Sequence, residues 1–171
     1  MKTRKLTLTA LFVAIGIVLP QAIHLFGGPT LGTILLPMHL PVFIGAMLLG
    51  PVSGIFIAIA SVFVGVMLGM PSILIASYMV FELVVYAFLS GILYRKLKWN
   101  VFLSYLVAKL AGMVVAILVI QLYIHLFDIA FPPLFGSVFM FSAGIPGIIL
   151  QILIIPTIVL MFNHKGRLSY E

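Results

Sequence analysis

The sequence predicts an all-α integral membrane protein, one bundle of six transmembrane helices formed by residues 1–171 as a single domain, with both termini cytoplasmic. Three observations predict it. Hydrophobic residues make up 64% of the 171 and charged residues only 7%, with a mean hydropathy of +1.38; a soluble domain carries about 25% charged residues. Eight of the nine Lys and Arg residues fall in three clusters, Lys2, Arg4 and Lys5, then Arg95, Lys96 and Lys98, then Lys165 and Arg167, and clustered basic residues beside apolar spans stay on the cytoplasmic side. Clusters on one side demand an even number of crossings between them. At about 20 residues per span, residues 6–94 hold four and residues 99–163 hold two.

Helix breakers set the limits of each element. The first helix is expected from Lys5 to Ala22, ended by Pro20 and the stretch "GGPTLG" from Gly27. The second starts near Pro37 and stops at "LGP" (49–51), and the third runs from Pro51 to Gly69. The turn "GMPS" opens the fourth, which carries Glu82 and ends at the basic loop. The fifth runs from Asn100 to Phe127. Residues 129–162 exceed one ordinary span and contain Pro132, Pro133 and Gly136; their first part reads as an outer loop or re-entrant segment, with the sixth helix starting near Ser142. The charged N-terminus resembles the start of a signal peptide, but its apolar part exceeds a usual signal core and runs into further spans, so it is expected to be retained. No internal repeat or low-complexity tract appears.

Composition and motifs exclude several functions. The formal charge of +6 sits in the loop clusters and not along a face with aromatic neighbours, so no nucleic-acid partner is expected. The absence of cysteine leaves no disulfide framework and no thiolate metal site. There is no HExxH, no GxSxG elbow and no P-loop, and no second acidic residue lies near Glu82, so neither catalysis nor ATP use by this chain is expected. His39 and His125 with Asp128 could in principle bind zinc, but they come from different helices at a spacing that is not diagnostic. No cofactor and no metal is expected.

Glu82 is the most informative residue. A charge at mid-bilayer costs about 2.5–3.5 kcal/mol on insertion scales, so it should face the bundle interior. It lies fifteen residues before Leu97 and Lys109 lies twelve after it; with a helical rise of about 1.5 Å per residue the two reach the same level within about 5 Å. They form a candidate intramembrane ion pair. The pair is either purely structural or faces a solvated cavity and meets a solute. Polar and aromatic groups gather in the outer half: Gln21, His24, His39, Tyr78, Gln121, Tyr123, His125, Asp128 and, midway along the sixth helix, Gln151. Each alone reads as an interfacial anchor or satisfied polar group. Together they describe a polar pocket with aromatic walls, the composition of a small-molecule site.

Small residues recur at four-residue or similar spacing in three helices: Thr7, Ala10 and Ala14; Gly50, Gly54 and Ala58; Ala108, Gly112 and Ala116. Such faces let helix backbones approach closely in lipid. The last two ladders read as internal packing. The first, on a terminal helix beside a basic end, is a candidate docking stripe for another protein.

The stretches "ALFVA", "LLPMHLPVFIGAMLLGP" and "FELVVYAFLSGILYRKL", in a six-span chain of this length, resemble the substrate-binding (S) component of an energy-coupling factor (ECF) vitamin transporter, over essentially the whole chain. The resemblance implies a subunit of a bacterial plasma membrane that captures a vitamin or precursor from outside, while a transmembrane scaffold subunit and two cytoplasmic ATPases power uptake. It also implies toppling of the bundle to deliver the ligand, and scaffold contact by Ala10 and Ala14. By depth and polarity the substrate is expected among His39, Tyr78, Glu82, Gln121, His125 and Gln151. The "MHLPVFIGAMLLGP" segment is most similar to members assigned to hydroxymethylpyrimidine or pyridoxine, whose rings Tyr78 or Tyr86 could stack and Glu82 could bind. A pantothenate or cobalamin-precursor S component, a self-contained secondary carrier and a structural membrane subunit are the alternatives.

Overall fold

The computed structural model describes residues 2–127 and 142–164. Asp128, the expected outer loop over 129–141 and the basic cluster Lys165 and Arg167 lie outside the described residues. All regular structure among those described is helical: α1 (Lys2–Leu35), α2 (His39–Leu49), α3 (Pro51–Met67), α4 (Ile73–Gly91) continued by a π turn (Ile92–Lys96), α5 (Val101–Phe127) and α6 (Ile145–His164). Five stretches are long and apolar enough to cross a membrane: Thr3–Gly28, Thr30–Leu49, Ile73–Lys96, Val101–Phe127 and Ile145–Phe162. α3 is shorter, 17 residues, or about 26 Å of helix against about 30 Å of hydrocarbon. The chain is a multi-pass membrane protein.

The first helix differs from its expected limits. Pro20 does not end it; α1 continues to Gly28, where φ 65° and ψ −173° break the helix, and a second leg folds back to Leu35. Proline is tolerated inside membrane helices because neighbouring groups re-satisfy the freed backbone, whereas a positive φ suits glycine because it has no Cβ. The "GGPTLG" stretch is therefore a bend with a helical continuation. With α2, interrupted only around Leu36 to Met38, that leg makes the 20-residue stretch Thr30–Leu49.

α2 is the centre of the bundle. Every residue in it except Leu40 is buried, as expected of a helix that is apolar all round. It ends at Gly50 (φ 103°), which reverses the chain into Pro51 at the first turn of α3. Its C-terminal carbonyls are met by the basic loop: Arg95 Nη1 donates to the Leu48 carbonyl at 2.8 Å, satisfying an orphan acceptor and setting a cation at the negative end of the helix dipole.

α4 packs most extensively against α5 and α3. Gly54 and Ala58 on α3 and Ala108, Gly112 and Ala116 on α5 are buried, so these two ladders face inward. Thr7, Ala10 and Ala14 on α1 are exposed. α4 starts from Ser72, whose side chain accepts from Ile75 N at 3.5 Å, and α5 from Asn100, whose Oδ1 accepts from Phe102 N at 2.8 Å; both are N-caps. Large apolar side chains such as Phe56, Phe63, Leu118 and Leu153 point outward, as lipid-facing residues do.

Candidate functional site

A cavity of about 380 Å³ lies at the end of the bundle away from the Arg95 loop, within the roughly 300–1,000 Å³ range of small-molecule sites. One wall is the crook of α1 and the start of α2, including His24 and His39; another is the turn from Gly69 to Ser72, in which Met70–Pro71 is cis. Tyr78 and Glu82 of α4 and Lys109 and Met113 of α5 form its deep side, and Gly144 and Ile148 close it from the start of α6.

Helical geometry sets these side chains together. Tyr78, Glu82 and Tyr86 succeed one another at four-residue intervals on the buried face of α4. The Tyr86 hydroxyl donates to Glu82 Oε1. The same oxygen lies 3.8 Å from His39 Nε2 and 4.0 Å from Lys109 Nζ, distances of ion pairing and not of a direct hydrogen bond. Lys109 Nζ stands 4.5 Å from the Tyr86 ring centroid, within cation–π range. Gly112 makes room for that ring: a Cβ there would overlap Tyr86 and sit 3.0 Å from the Glu82 carbonyl oxygen.

Aromatic rings support the floor from below. His39 is tilted on Tyr86 at 5.5 Å, Phe43 stacks on Tyr86 at 4.9 Å, and Tyr105 meets Phe43 edge-on at 4.8 Å. Tyr105 then donates to Gln151 Oε1 at 3.1 Å, and Gln151 Nε2 donates to the Leu36 carbonyl at 3.3 Å. Leu36 has φ 50°, a conformation rare for a residue with a Cβ, and its carbonyl also accepts from His39 N at 3.1 Å. Gln151 therefore ties α6 and α5 to the bend that aims His39 at Glu82.

Of the residues expected to meet substrate, His39, Tyr78 and Glu82 line the cavity, together with Lys109. Gln151 is fully buried behind the lining. Gln121 and His125 lie further along α5, the first half-buried with no partner for Nε2 and the second exposed; neither lines the cavity. Three contributions go beyond the residues expected to meet substrate. His24, named among the outer polar groups but not among those residues, lines the cavity because α1 continues past Pro20, and its Nδ1 lies 3.1 Å from the Gly28 carbonyl. The 69–72 turn contributes mainly backbone and apolar surface, for which residue type carries no signal. Tyr86 serves Glu82 as a donor, a role its four-residue spacing could have suggested. Among the described residues no three His, Cys, Asp or Glu side chains cluster as a metal site would.

No curated protein and no solved structure matches the chain. Residues 4–159 match the family described as ECF transporter, substrate-specific component, a match that takes in most or all of each helix described above and every residue that lines the cavity. A multi-pass helical bundle with a largely apolar cavity, a few charged and polar groups at its base and no catalytic motif is thus placed by its sequence over nearly its full length: the chain belongs to the ECF transporter substrate-specific component family.

Proposed function

We propose that this protein captures a small heteroaromatic vitamin or precursor, hydroxymethylpyrimidine or pyridoxine, from outside a bacterial cell and delivers it through a scaffold subunit driven by two ATPases. Family membership makes it the substrate-binding subunit of an ECF vitamin-type transporter. The observation that carries the choice of ligand is the cavity of about 380 Å³ with Tyr78 on its wall and Glu82, His39 and Lys109 at its base. A single ring fits that volume, and few polar groups around an apolar wall are what orients such a ring. The ligand touches His39, Tyr78 and Glu82, while Gln151 acts from behind by holding the bend at Leu36. Six helices alternate in direction, so six crossings leave both termini on the cytoplasmic side with the Arg95 loop, and the cavity opens to the exterior.

One observation favours a second ligand. Lys109 at the cavity base offers an ammonium to a carboxylate, which suits pantothenate. Purification from the native membrane tests both the assembly and the ligand. The scaffold and two ATPases are expected to co-purify, and mass spectrometry of the released small molecule is expected to show a single-ring heteroaromatic compound. Isolation without those subunits would favour a self-contained carrier.

A further inference from the structure

Among the described residues α6 packs on the rest of the bundle less extensively than any other helix, and it does so along one narrow seam. Its buried residues there are Gly147, Gln151, Ile155 and Val159, each four positions after the last and so on one face. At Gly147 the seam is backbone on backbone. A Cβ at that position would lie 2.5 Å from the Ile34 carbonyl oxygen and 2.8 Å from the carbonyl carbon and oxygen of Leu35. Both carbonyls belong to the last turn of the second leg of α1, where a helix cannot pair its acceptors internally. A side chain in the way could rotate aside. Backbone cannot, so any residue larger than glycine has to push α6 off the leg.

The same stretch of α6 supports the cavity. Gly144 and Ile148 line it, and Gln151, one turn further on, donates to the Leu36 carbonyl at 3.3 Å, a long N–H···O bond. Restoring an ordinary contact of 3.4 Å at a Cβ on residue 147 requires α6 to withdraw by about 1 Å. The bond from Gln151 does not survive such a shift, and with it goes one of the two donors that fix the Leu36 carbonyl beneath His39. We infer that Gly147 is a positioning residue of the capture site: by letting α6 rest directly on the end of the second leg of α1, it keeps Gln151 on the bend and His39 beside Glu82. This rests on the reading of the cavity as the substrate site and adds to it a residue that does not line the cavity.

A second glycine in equally close contact separates positioning from packing in general. At Gly91, where α4 meets the start of α3, a Cβ would lie 2.7 Å from the Pro51 nitrogen and 2.8 Å from its Cα. This contact is also with backbone, but it sits beside the Arg95 loop, and neither Gly91 nor Pro51 lines the cavity. A methyl group at either glycine forces two helices apart. Only at Gly147 do the displaced groups hold the bend that presents His39, which lies 3.8 Å from Glu82 Oε1.

Thermal unfolding and calorimetric titration of the purified full-length protein with pyridoxine, hydroxymethylpyrimidine and pantothenate test this in Gly147→Ala, Gly91→Ala, Gln151→Leu and the double variant of Gly147→Ala with Gln151→Leu. Both glycine variants are expected to melt at a lower temperature than the wild type. For the compound that the wild type binds most tightly, Gly147→Ala is expected to lose roughly tenfold in affinity and Gly91→Ala less than about twofold. Gly147 and Gln151 act on one bend, so the double variant should stay within about twofold of the weaker single variant, because coupled residues are not additive. Equal affinity of the two glycine variants, or losses that multiply in the double variant, overturn the inference and leave the substrate-capture reading standing. A Gly147→Ala chain that does not fold assigns the contact to the fold alone and overturns it as well. If the folded wild type binds none of the three compounds, both readings fail.

Discussion

Glu82 shows how one residue couples stability and binding. Its Oε1 receives the Tyr86 hydroxyl and faces the Lys109 ammonium at 4.0 Å. Glu82→Gln keeps the shape and an acceptor for Tyr86, but it removes the counter-charge from a buried ammonium, a loss worth about 3–5 kcal/mol in buried pairs. We expect a lowered melting temperature and at least a tenfold loss of ligand affinity. Adding Lys109→Met removes the orphaned charge, so the double variant should regain most of the thermal stability and none of the affinity, measured by thermal unfolding and by titration. A double variant no more stable than Glu82→Gln would show that the two charges are not coupled. The level of this pair was legible from residue counts across the Leu97 turn, because helical rise is nearly constant. The sharing of one carboxylate oxygen among Tyr86, His39 and Lys109 was not, because it depends on side-chain rotamers and on the space opened by Gly112.

Among the elements, α1 and α6 make distinct and separable contributions. α1 leaves Ala10 and Ala14 exposed, a smooth stripe on the outside of the bundle where another helix can approach. Ala10→Trp with Ala14→Trp should abolish uptake in cells and leave the ligand affinity of the isolated protein within about twofold, since surface substitutions away from the site change little. Retained uptake would remove the docking role. α6 acts through Gln151, which bonds Tyr105 and the Leu36 carbonyl. Gln151→Leu has a similar volume but leaves the buried Tyr105 hydroxyl without its acceptor, a cost of about 1–3 kcal/mol for a buried group, and leaves the Leu36 carbonyl held by His39 N alone. Ligand affinity should fall by roughly tenfold at most, as the bend loosens and His39 drifts, and an unchanged affinity would dissociate the bend from the site. The sequence marked Gln151 as polar at mid-span; its work on the bend needs the fold of α1, which reverses at Gly28 past the point where Pro20 alone would have ended it.

Across the whole molecule, the direction of the bundle in the membrane determines what the cavity can reach. Arg95 is tied to the end of α2, so the basic loop and the cavity occupy opposite ends of one rigid helix. A thiol introduced at the exposed Lys98, in a chain that has no cysteine, should react with a membrane-impermeant maleimide only after the membrane is opened, and labelling of intact cells would invert the proposed orientation. Membrane residence, the approximate helix limits from α3 to α5 and the inward turn of Glu82 follow from composition, breakers and the cost of charge in lipid, all of which act on the chain locally. The enclosure itself arises otherwise. It is made where the bend at Gly28, the turn at Met70–Pro71, the middle of α4 and α5 and the first turn of α6 meet, residues far apart in the chain whose proximity is set by how six apolar surfaces pack on one another. Every apolar face in such a chain satisfies lipid equally well, so periodicity has no preference between neighbours; close packing at a few small residues makes that choice, and only the assembled bundle contains it.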